Sequence, residues 1–96
     1  MATFISLLNF TDQGIRNVKD SPERLRAFEG MAEKLGVKVK GAYYTVGKYD
    51  LVLITEGADD AATAALLKVC ALGNMRSQTL HALSVEEMKK IIAKIA

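Results

Sequence analysis

Apolar residues recur along this chain in two periods, and the change of period marks where strands give way to helices. Strands are indicated where apolar residues alternate with polar ones or run without interruption, and helices where they recur at steps of three and four. The predicted strands are Thr3–Phe10, residues 37–46, Tyr49–Glu56 and Met75–Leu83. The predicted helices run from Ser21 to a stop at Gly36, over residues 61–73, and onward from Ser84.

Local signals support the ends of these helices. Ser21 is expected to cap the first helix, with Pro22 at its first position, where the missing N–H costs nothing. Ser84 and Glu87 form an S-x-x-E capping box before the last helix. The apolar stripes are Leu25, Phe28, Ala32 and Leu35 in the first helix, and Met88, Ile91, Ile92 and Ile95 in the last.

The order of elements is β-α-β-β-α-β followed by one helix, which is typical of a ferredoxin-like α+β fold. Such a sheet is antiparallel, with strand order 4-1-3-2 and two helices on one face. The first and third strands are central, and both are apolar on both faces. Leaving the second face in water would expose several large side chains, so we expect a second copy to cover it and form a dimeric α+β barrel. The last helix is expected at the rim of that barrel or on the partner.

The second and third strands are predicted to form a tight hairpin. Gly47-Lys48 fits a two-residue loop in which glycine takes a positive φ. Thr45 then faces Asp50 across the hairpin, and Tyr49 is expected on the face that carries Tyr44. The aspartate therefore begins a strand that is otherwise built to be buried.

Composition limits the function classes. Ninety-six residues fit one domain, 1–96, and a net charge of +2 argues against nucleic acid or an anionic membrane as the main partner. No apolar stretch approaches the ~20 residues that span a bilayer, and the N-terminus lacks the features of a signal peptide. The single cysteine, Cys70, excludes an internal disulfide. We therefore expect a soluble cytoplasmic protein.

The segment TVGKYDLVLITEGADD, together with FTDQGIRNVKDSPER before it and LGNMRSQTLHALS after it, resembles the GYD domain family. The family is named for the glycine, tyrosine and aspartate that match Gly47, Tyr49 and Asp50. The resemblance covers almost the whole chain and implies a ferredoxin-like subunit that pairs as a dimeric α+β barrel. It implies a fold rather than an activity.

The hairpin is also similar, more distantly, to the effector-binding domain of leucine-responsive transcription regulators. That resemblance implies a barrel dimer able to bind amino acids. The chain departs from those regulators because no DNA-binding helix-turn-helix precedes the domain.

Asp50 and Tyr49 are the leading site candidates. A carboxylate and a phenol at the mouth of a pocket could orient a small polar ligand or act as a base. Alternatively, Asp50 accepts hydrogen bonds from turn amides and holds the hairpin closed. The other residues of the candidate ligand pocket are Tyr43, Ser6, Asn9, Arg76 and His81.

All of these other candidates except Tyr43 have a structural alternative: one of Ser6 and Asn9 could line a cavity, or they satisfy hydrogen bonds at a strand end or bulge. His81 could act as an acid–base group or bond only to the backbone, and Arg76 could bind an anionic ligand or a surface carboxylate. Cys70 lies in an apolar stretch and is expected to be a buried, unreactive thiol. One histidine and one cysteine make no metal site, and no cofactor motif occurs. KGAYYTV at 40–46 is similar to an RNA-binding motif but falls on the wrong strand.

These observations favour a homodimer that binds or senses a small molecule. A cofactor-independent monooxygenase or isomerase is the alternative, since dimeric barrels host both functions. An enzyme should present a closed pocket with two or more titratable groups, whereas a binding module needs one charged anchor. A structural assembly unit without a ligand is the third hypothesis.

Overall fold

The structure is a computed structural model that describes residues 2–95, and it contains one four-stranded antiparallel sheet. The strands are β1 (Ala2–Phe10), β2 (Lys38–Tyr44), β3 (Leu51–Gly57) and β4 (Met75–Ala82). The helices are α1 (Asp12–Arg16), α2 (Ser21–Lys34), α3 (Asp59–Cys70) and α4 (Val85–Ala93), with a 3-10 turn at Val18–Asp20.

The sheet has the order β2-β3-β1-β4, which confirms the predicted ferredoxin-like arrangement with β1 and β3 at the centre. Helices α2 and α3 pack on one face of it. We call this the helix face, and it carries the buried residues Ser6, Leu8, Leu51 and Leu53 of the two central strands. These meet the helix residues Phe28, Ala32, Ala62 and Ala65 in the core.

The opposite face of the sheet, here called the open face, is apolar along its two central strands. Leu7 pairs with Val52 and Ile5 with Ile54, and all four side chains remain half-buried. Period-two alternation places these residues opposite the core residues of the same strands. Both faces of β1 and β3 are therefore apolar, as the sequence predicted.

Helix α4 forms as predicted but stands apart from the rest of the fold. Its capping box is confirmed, since the Ser84 amide donates to Glu87 Oε1 at 2.8 Å and the Glu87 amide donates to Ser84 Oγ at 3.0 Å. No residue of α4 is buried. The radius of gyration, 14.6 Å, exceeds the ~12.5 Å usual for 96 residues, as a projecting helix requires. Its apolar stripe is therefore uncovered within one chain.

The predicted cap of α2 is wrong. The helix begins at Ser21, Asp20 precedes it, and no side chain caps its first turn. The Ser21 hydroxyl is buried and hydrogen-bonds Tyr44 Oη at 2.8 Å. The hydroxyl thus bonds Tyr44, which is distant in sequence, instead of the backbone amides in the first turn of α2.

The hairpin keeps the predicted register but not the predicted loop. Tyr44 pairs with Leu51, and the Thr45 amide donates to the Asp50 carbonyl at 2.9 Å, so Thr45 faces Asp50 as expected. Strand β2 nevertheless ends at Tyr44 and β3 begins at Leu51, so the connection between them consists of residues 45–50 rather than two residues. Gly47 has a φ of 154° at its tip.

Every helix among residues 2–95 is too short or too polar to cross a membrane.

Candidate functional site

Asp50 extends the pairing of β1 and β3 beyond the last strand residue. Its amide donates to the Leu8 carbonyl at 2.9 Å, and its Oδ2 accepts the Phe10 amide at 2.8 Å. The Asn9 side chain donates to the Lys48 carbonyl at 2.7 Å and lies 3.5 Å from the same Oδ2. The carboxylate thus satisfies a strand amide that has no carbonyl opposite it.

Tyr49 lies on the open face, so its predicted position on the side of Tyr44 is wrong. Its hydroxyl donates to Gln78 Oε1 on β4 at 3.0 Å, and Gln78 pairs with Leu7 on that face. Strand alternation fails here because residue 49 lies in the connection rather than in β3, where the backbone no longer fixes the direction of the side chain. Tyr49, Asp50 and Asn9 are therefore brought together at one end of the open face.

The remaining predicted pocket residues are distributed over both faces. Tyr43 is on the open face of the edge strand β2 and is 61% exposed. Ser6 is fully buried on the helix face, where its hydroxyl hydrogen-bonds Thr79 Oγ1 at 2.9 Å. His81 pairs with Phe4, and the two rings lie 5.5 Å apart. Ser6 and His81 therefore lie on the helix face and Tyr43 on the open face, so the predicted residues are not all on the face where Tyr49 and Asn9 lie.

A groove of about 450 Å³ lies between α3 and the edge strand β4, and we call it the α3–β4 groove. It includes Arg76 from the predicted set. Its lining residues are Phe4, Ala62, Thr63, Leu66, Leu67, Cys70, Met75, Arg76, Ser77 and Thr79. Its volume falls within the range of pockets that hold small molecules.

Polar groups in the groove are few and connected. Ser77 and Thr79 hydrogen-bond each other at 3.0 Å, and Thr79 reaches the buried Ser6. Among residues 2–95, the Arg76 side chain makes no hydrogen bond and no ion pair with a carboxylate. The groove therefore combines apolar walls with a short hydroxyl row, whereas Arg76 pairs with Asn9 on the open face and borders the groove at the edge of β4.

Cys70 lines the groove as a free thiol. Burial raises its pKa above the ordinary value of 9.0, and the positive charge of Arg76 offsets part of that rise. The thiol is therefore neutral at physiological pH and contributes apolar surface rather than a charge. The raised pKa agrees with the predicted unreactive character, but the thiol is half-buried rather than buried as predicted.

A smaller cavity of about 30 Å³ lies between α2, α3 and the sheet. Ser21, Arg24 and Asn74 are its polar lining residues. Arg24 Nη1 donates to the Asn17 carbonyl at 2.9 Å, whereas its Nη2 is buried without a partner among the described residues. The cavity has about the volume that one water molecule occupies.

No cluster of three or more metal-ligating side chains occurs in residues 2–95.

Sequence reasoning missed most of the groove because its residues look ordinary in sequence. Thr63 and Cys70 lie in an alanine-rich helix, and Ser77 and Thr79 are exposed residues in an edge strand whose residues from Arg76 to His81 are all exposed. One signal was available. Two hydroxyl residues on the helix face of β4 are unexpected where the core should be apolar, and they indicate that α3 does not cover that strand completely.

The fold, the open face and the α3–β4 groove define the class of the protein. It is a ferredoxin-like α+β domain with an open apolar sheet face and a ligand-sized groove. The chain belongs to the GYD domain family, whose model matches residues 4–92. A relative from Thermus thermophilus, the "glutamine synthetase and cystathionine beta-lyase binding protein", is 36% identical over 91 residues. The match covers 92% of this chain and 95% of that one.

Solved structures share the fold at low identity. A feast or famine regulatory protein from M. tuberculosis, complexed with L-methionine, aligns with a TM-score of 0.64 and 18% identity over 88% of this chain. The chain spans only 52% of that protein. FFRP-DM1 aligns with a TM-score of 0.56 and 23% identity, over 86% of this chain and 100% of its own. TTHA0845 from Thermus thermophilus aligns with a TM-score of 0.55 and 20% identity, over 88% of this chain and 96% of its own.

Proposed function

We propose that this protein is a homodimeric module that binds or senses a small molecule, with the α3–β4 groove as the ligand site. The observation that carries the proposal is the composition of the groove. Most of its lining is apolar, and the hydroxyl groups of Ser77 and Thr79 are adjacent. Ligand sites are typically built in this way, from apolar walls and a few polar groups that orient the ligand.

Binding fits the groove better than catalysis. Cys70 is the titratable side chain on the helix face of this lining, and burial raises its pKa. A thiol with a raised pKa does not exchange a proton readily near neutral pH, as a general acid or base must. At the hairpin, the Asp50 carboxylate already accepts the Phe10 amide. A cofactor-independent enzyme is therefore the weaker hypothesis.

The dimer is proposed from the open face. Ile5, Leu7, Val52 and Ile54 form a contiguous apolar strip over β1 and β3, and Leu80 extends it on β4 with 44% exposure. No helix within residues 2–95 covers this strip, because α2 and α3 lie on the opposite face and α4 projects away. A second copy stacked on it would remove all of this surface from water, at about 25 cal/mol per Å² of apolar area.

Light scattering tests the dimer. Wild-type protein at micromolar concentration is expected at twice the 10.4 kDa mass of one chain. Leu80→Asp should give monomers, since it places a charge in the proposed interface at a site that is half exposed in one chain. Val46→Asp is the matched control, because Val46 is fully exposed at the hairpin tip. A wild-type mass of one chain would contradict the dimer.

A thermal-shift screen with small metabolites tests the binding function. A ligand that binds only the folded protein raises its melting temperature, and the rise should grow with ligand concentration. Binding should be lost in Leu67→Asp, which changes an exposed wall of the groove, and kept in Val46→Asp. The failure of a broad metabolite library to stabilise the wild type would contradict the proposal.

Binding of a larger enzyme is a second candidate function, and α4 is the observation that favours it. The helix is stably capped, yet its apolar stripe is exposed: Met88, Ile91, Ile92 and Ile95. Amphipathic helices of this kind lay their apolar face into grooves of partner proteins. The relative named for binding glutamine synthetase and cystathionine beta-lyase suggests which partners to try.

A pull-down with each of these two purified enzymes tests the second candidate. Ile92→Asp should abolish capture without changing the melting temperature, because Ile92 is exposed in the single chain. Lys90→Asp is the control on the same helix, away from the stripe. Equal capture by wild type and Ile92→Asp would contradict a role for α4.

A further inference from the structure

The hydroxyl row of the α3–β4 groove joins three side chains through two hydrogen bonds. Ser6 Oγ lies 2.9 Å from Thr79 Oγ1, which lies 3.0 Å from Ser77 Oγ. Thr79 pairs with Ser6 and Ser77 with Leu8, so all three hydroxyl side chains lie on the helix face, where the groove is. Each hydroxyl has one proton to donate. Two hydrogen bonds therefore use two of the three protons.

The buried end of the row decides where the third proton goes. Ser6 is 0% exposed, and Thr79 is the one hydrogen-bond partner of its hydroxyl within residues 2–95. The Ser6 proton therefore goes to Thr79, because a buried hydroxyl proton without an acceptor is costly. The bond between Thr79 and Ser77 takes one of their two protons. The other proton is left for a partner outside the row, and both residues are exposed in the groove.

The row also strengthens this free donor. Hydrogen bonds in a chain polarise one another, so a hydroxyl that accepts a hydrogen bond donates more strongly. The free proton belongs either to Thr79, which accepts from Ser6, or to Ser77, which then accepts from Thr79. In both arrangements the groove presents a polarised donor to its interior. Such a donor suits a ligand that carries an acceptor oxygen.

The helix-face lining offers no counter-charge to a ligand. Apart from Arg76, every lining residue belongs to an uncharged type or, like the Cys70 thiol, is neutral at physiological pH. Arg76 pairs with Asn9, so its side chain leaves β4 on the face opposite the hydroxyl row. A carboxylate or an ammonium group brought into the groove would lose water without gaining a partner of opposite charge, which is costly.

Apolar walls set the character of the rest of the ligand. They are formed by Phe4, Leu66, Leu67 and Met75. Leu67 is 66% exposed, so a bound hydrocarbon chain would remove its surface from water. The ligand that fits this groove therefore combines an acceptor oxygen with an aliphatic body and has no net charge.

We propose that the α3–β4 groove binds an uncharged carbonyl compound with an aliphatic body, whose oxygen accepts the free hydroxyl proton of the Ser77–Thr79 pair. The proposal rests on the proposed small-molecule function and names its ligand class. Ketones, aldehydes, esters and amides with linear or branched aliphatic chains belong to this class. Carboxylates, ammonium compounds and zwitterionic amino acids do not.

Chemical-shift titration of the ¹⁵N-labelled protein with three compounds of matched shape tests the proposal: 4-methylpentan-2-one, 4-methylpentanoate and 4-methylpentan-2-amine. The ketone is expected to bind at least tenfold more tightly than the acid or the amine, which are both charged at neutral pH. Arg76→Gln is the control and should leave all three affinities unchanged, because its side chain lies on the other face. A preference for the acid that Arg76→Gln removes would overturn the proposal.

Removing the whole hydroxyl row tests the hydrogen bond. The triple variant Ser6→Ala, Thr79→Val and Ser77→Ala replaces every member by an apolar group and leaves no buried hydroxyl unpaired. Its affinity for the ketone should fall at least tenfold. Ser77→Ala alone should keep most of the affinity, because Thr79 then has a free proton. An unchanged affinity in a folded triple variant would overturn the proposal.

The infrared band of the bound ketone carbonyl gives a readout that needs only the wild type. A carbonyl that accepts the hydroxyl proton should absorb at lower frequency than the same ketone in a hydrocarbon solvent. A bound ketone whose band stays at the hydrocarbon frequency would overturn the proposal. The ketone should also slow alkylation of Cys70 by iodoacetamide, since the thiol lines the proposed site.

Failure here is distinguishable from failure of the proposed function. If the ketone does not bind but a metabolite screen yields a charged ligand that protects Cys70, the groove is a ligand site and the assigned ligand class is wrong. If no compound of any class binds, both the function and the ligand class fall. A change of oligomeric mass in Leu67→Asp would likewise overturn both, because it would identify the groove as a subunit interface.

Discussion

Asp50 Oδ2 lies 2.8 Å from the backbone nitrogen of Phe10 and replaces the carbonyl that a longer β3 would have supplied. Asp50 also donates its own amide to the Leu8 carbonyl. Its main chain and its side chain therefore both hydrogen-bond β1 just before β3 begins. The aspartate of the family motif therefore has a structural partner that does not involve a ligand.

Asp50→Asn should lower the free energy of unfolding by about 1 kcal/mol. The amide oxygen can still accept the Phe10 amide, but a charge-assisted hydrogen bond becomes a neutral one. Thermal and urea denaturation would measure the change. Asp59→Asn is the matched control, because Asp59 is exposed in the first turn of α3 and should cost less. A stabilised Asp50→Asn variant that no longer binds a ligand would show that Asp50 is a ligand anchor instead.

Two glycine substitutions should act in opposite directions. A Cβ added at Gly14 would lie 1.9 Å from the carbonyl oxygen of Asn74, a backbone atom that cannot move aside. Gly14→Ala should therefore destabilise the protein by about 1–3 kcal/mol or more. Gly30 lies in α2, where an added Cβ would meet no atom within 4 Å, and Gly30→Ala should stabilise by about 0.5–1 kcal/mol. Equal melting temperatures for the two variants would contradict this packing.

Helix α4 should lose stability in acid because of Glu87. The hydrogen bond from the Ser84 amide, and then the one involving the Ser84 side chain, hold the pKa of this carboxyl below its ordinary value of 4.5. A lowered pKa means that the charged form favours the folded helix. The contribution is complete above pH 4.5 and disappears as the pH falls through the lowered pKa.

Backbone chemical shifts of α4 between about pH 7 and pH 2 would measure this loss. Glu87→Gln should keep the capping box and remove most of the pH dependence, since glutamine accepts the same hydrogen bond without titrating. Glu86→Gln is the control, because Glu86 forms only an exposed pair with Lys89. Identical acid profiles for wild type and Glu87→Gln would contradict the assignment.

Cys70 should react slowly with alkylating agents. Since burial raises its pKa, the thiolate forms only at a pH above the ordinary 9.0, and the pH profile of the iodoacetamide rate should have its midpoint there. Arg76→Gln should move the midpoint higher still, because the guanidinium stabilises the thiolate. A midpoint below 9.0, or one that Arg76→Gln lowers, would be inconsistent with the described environment.

The sheet could be predicted from sequence because its signals are local and redundant. The segment Leu51–Ile54 is apolar at every position. A strand that is apolar on both faces is expected at the centre of the sheet, and this pattern therefore predicted the observed position of β3 beside β1. The capping box of α4 was predictable for the same reason, since Ser84 and Glu87 satisfy each other within one turn. Neither inference needed to know what lies elsewhere in the fold.

The errors arose where a distant residue decides between two local solutions. Ser21 could cap α2 or hydrogen-bond Tyr44, and only the packed fold brings Tyr44 within 2.8 Å. Tyr49 could follow strand alternation or cross to Gln78, and the longer connection permits the crossing. The α3–β4 groove depends on how far α3 stands from β4, a distance that no single side chain specifies.

Two-dimensional NMR of the ¹⁵N-labelled full chain, titrated with a stabilising hit from the metabolite screen, tests the central claim most directly. The largest chemical-shift changes are expected at the backbone amides of Thr63, Cys70 and Ser77, which belong to the α3–β4 groove. Changes confined to Tyr49, Asp50 and Gln78 would place the ligand at the hairpin end of the open face, and would contradict the assignment of the ligand site to the groove.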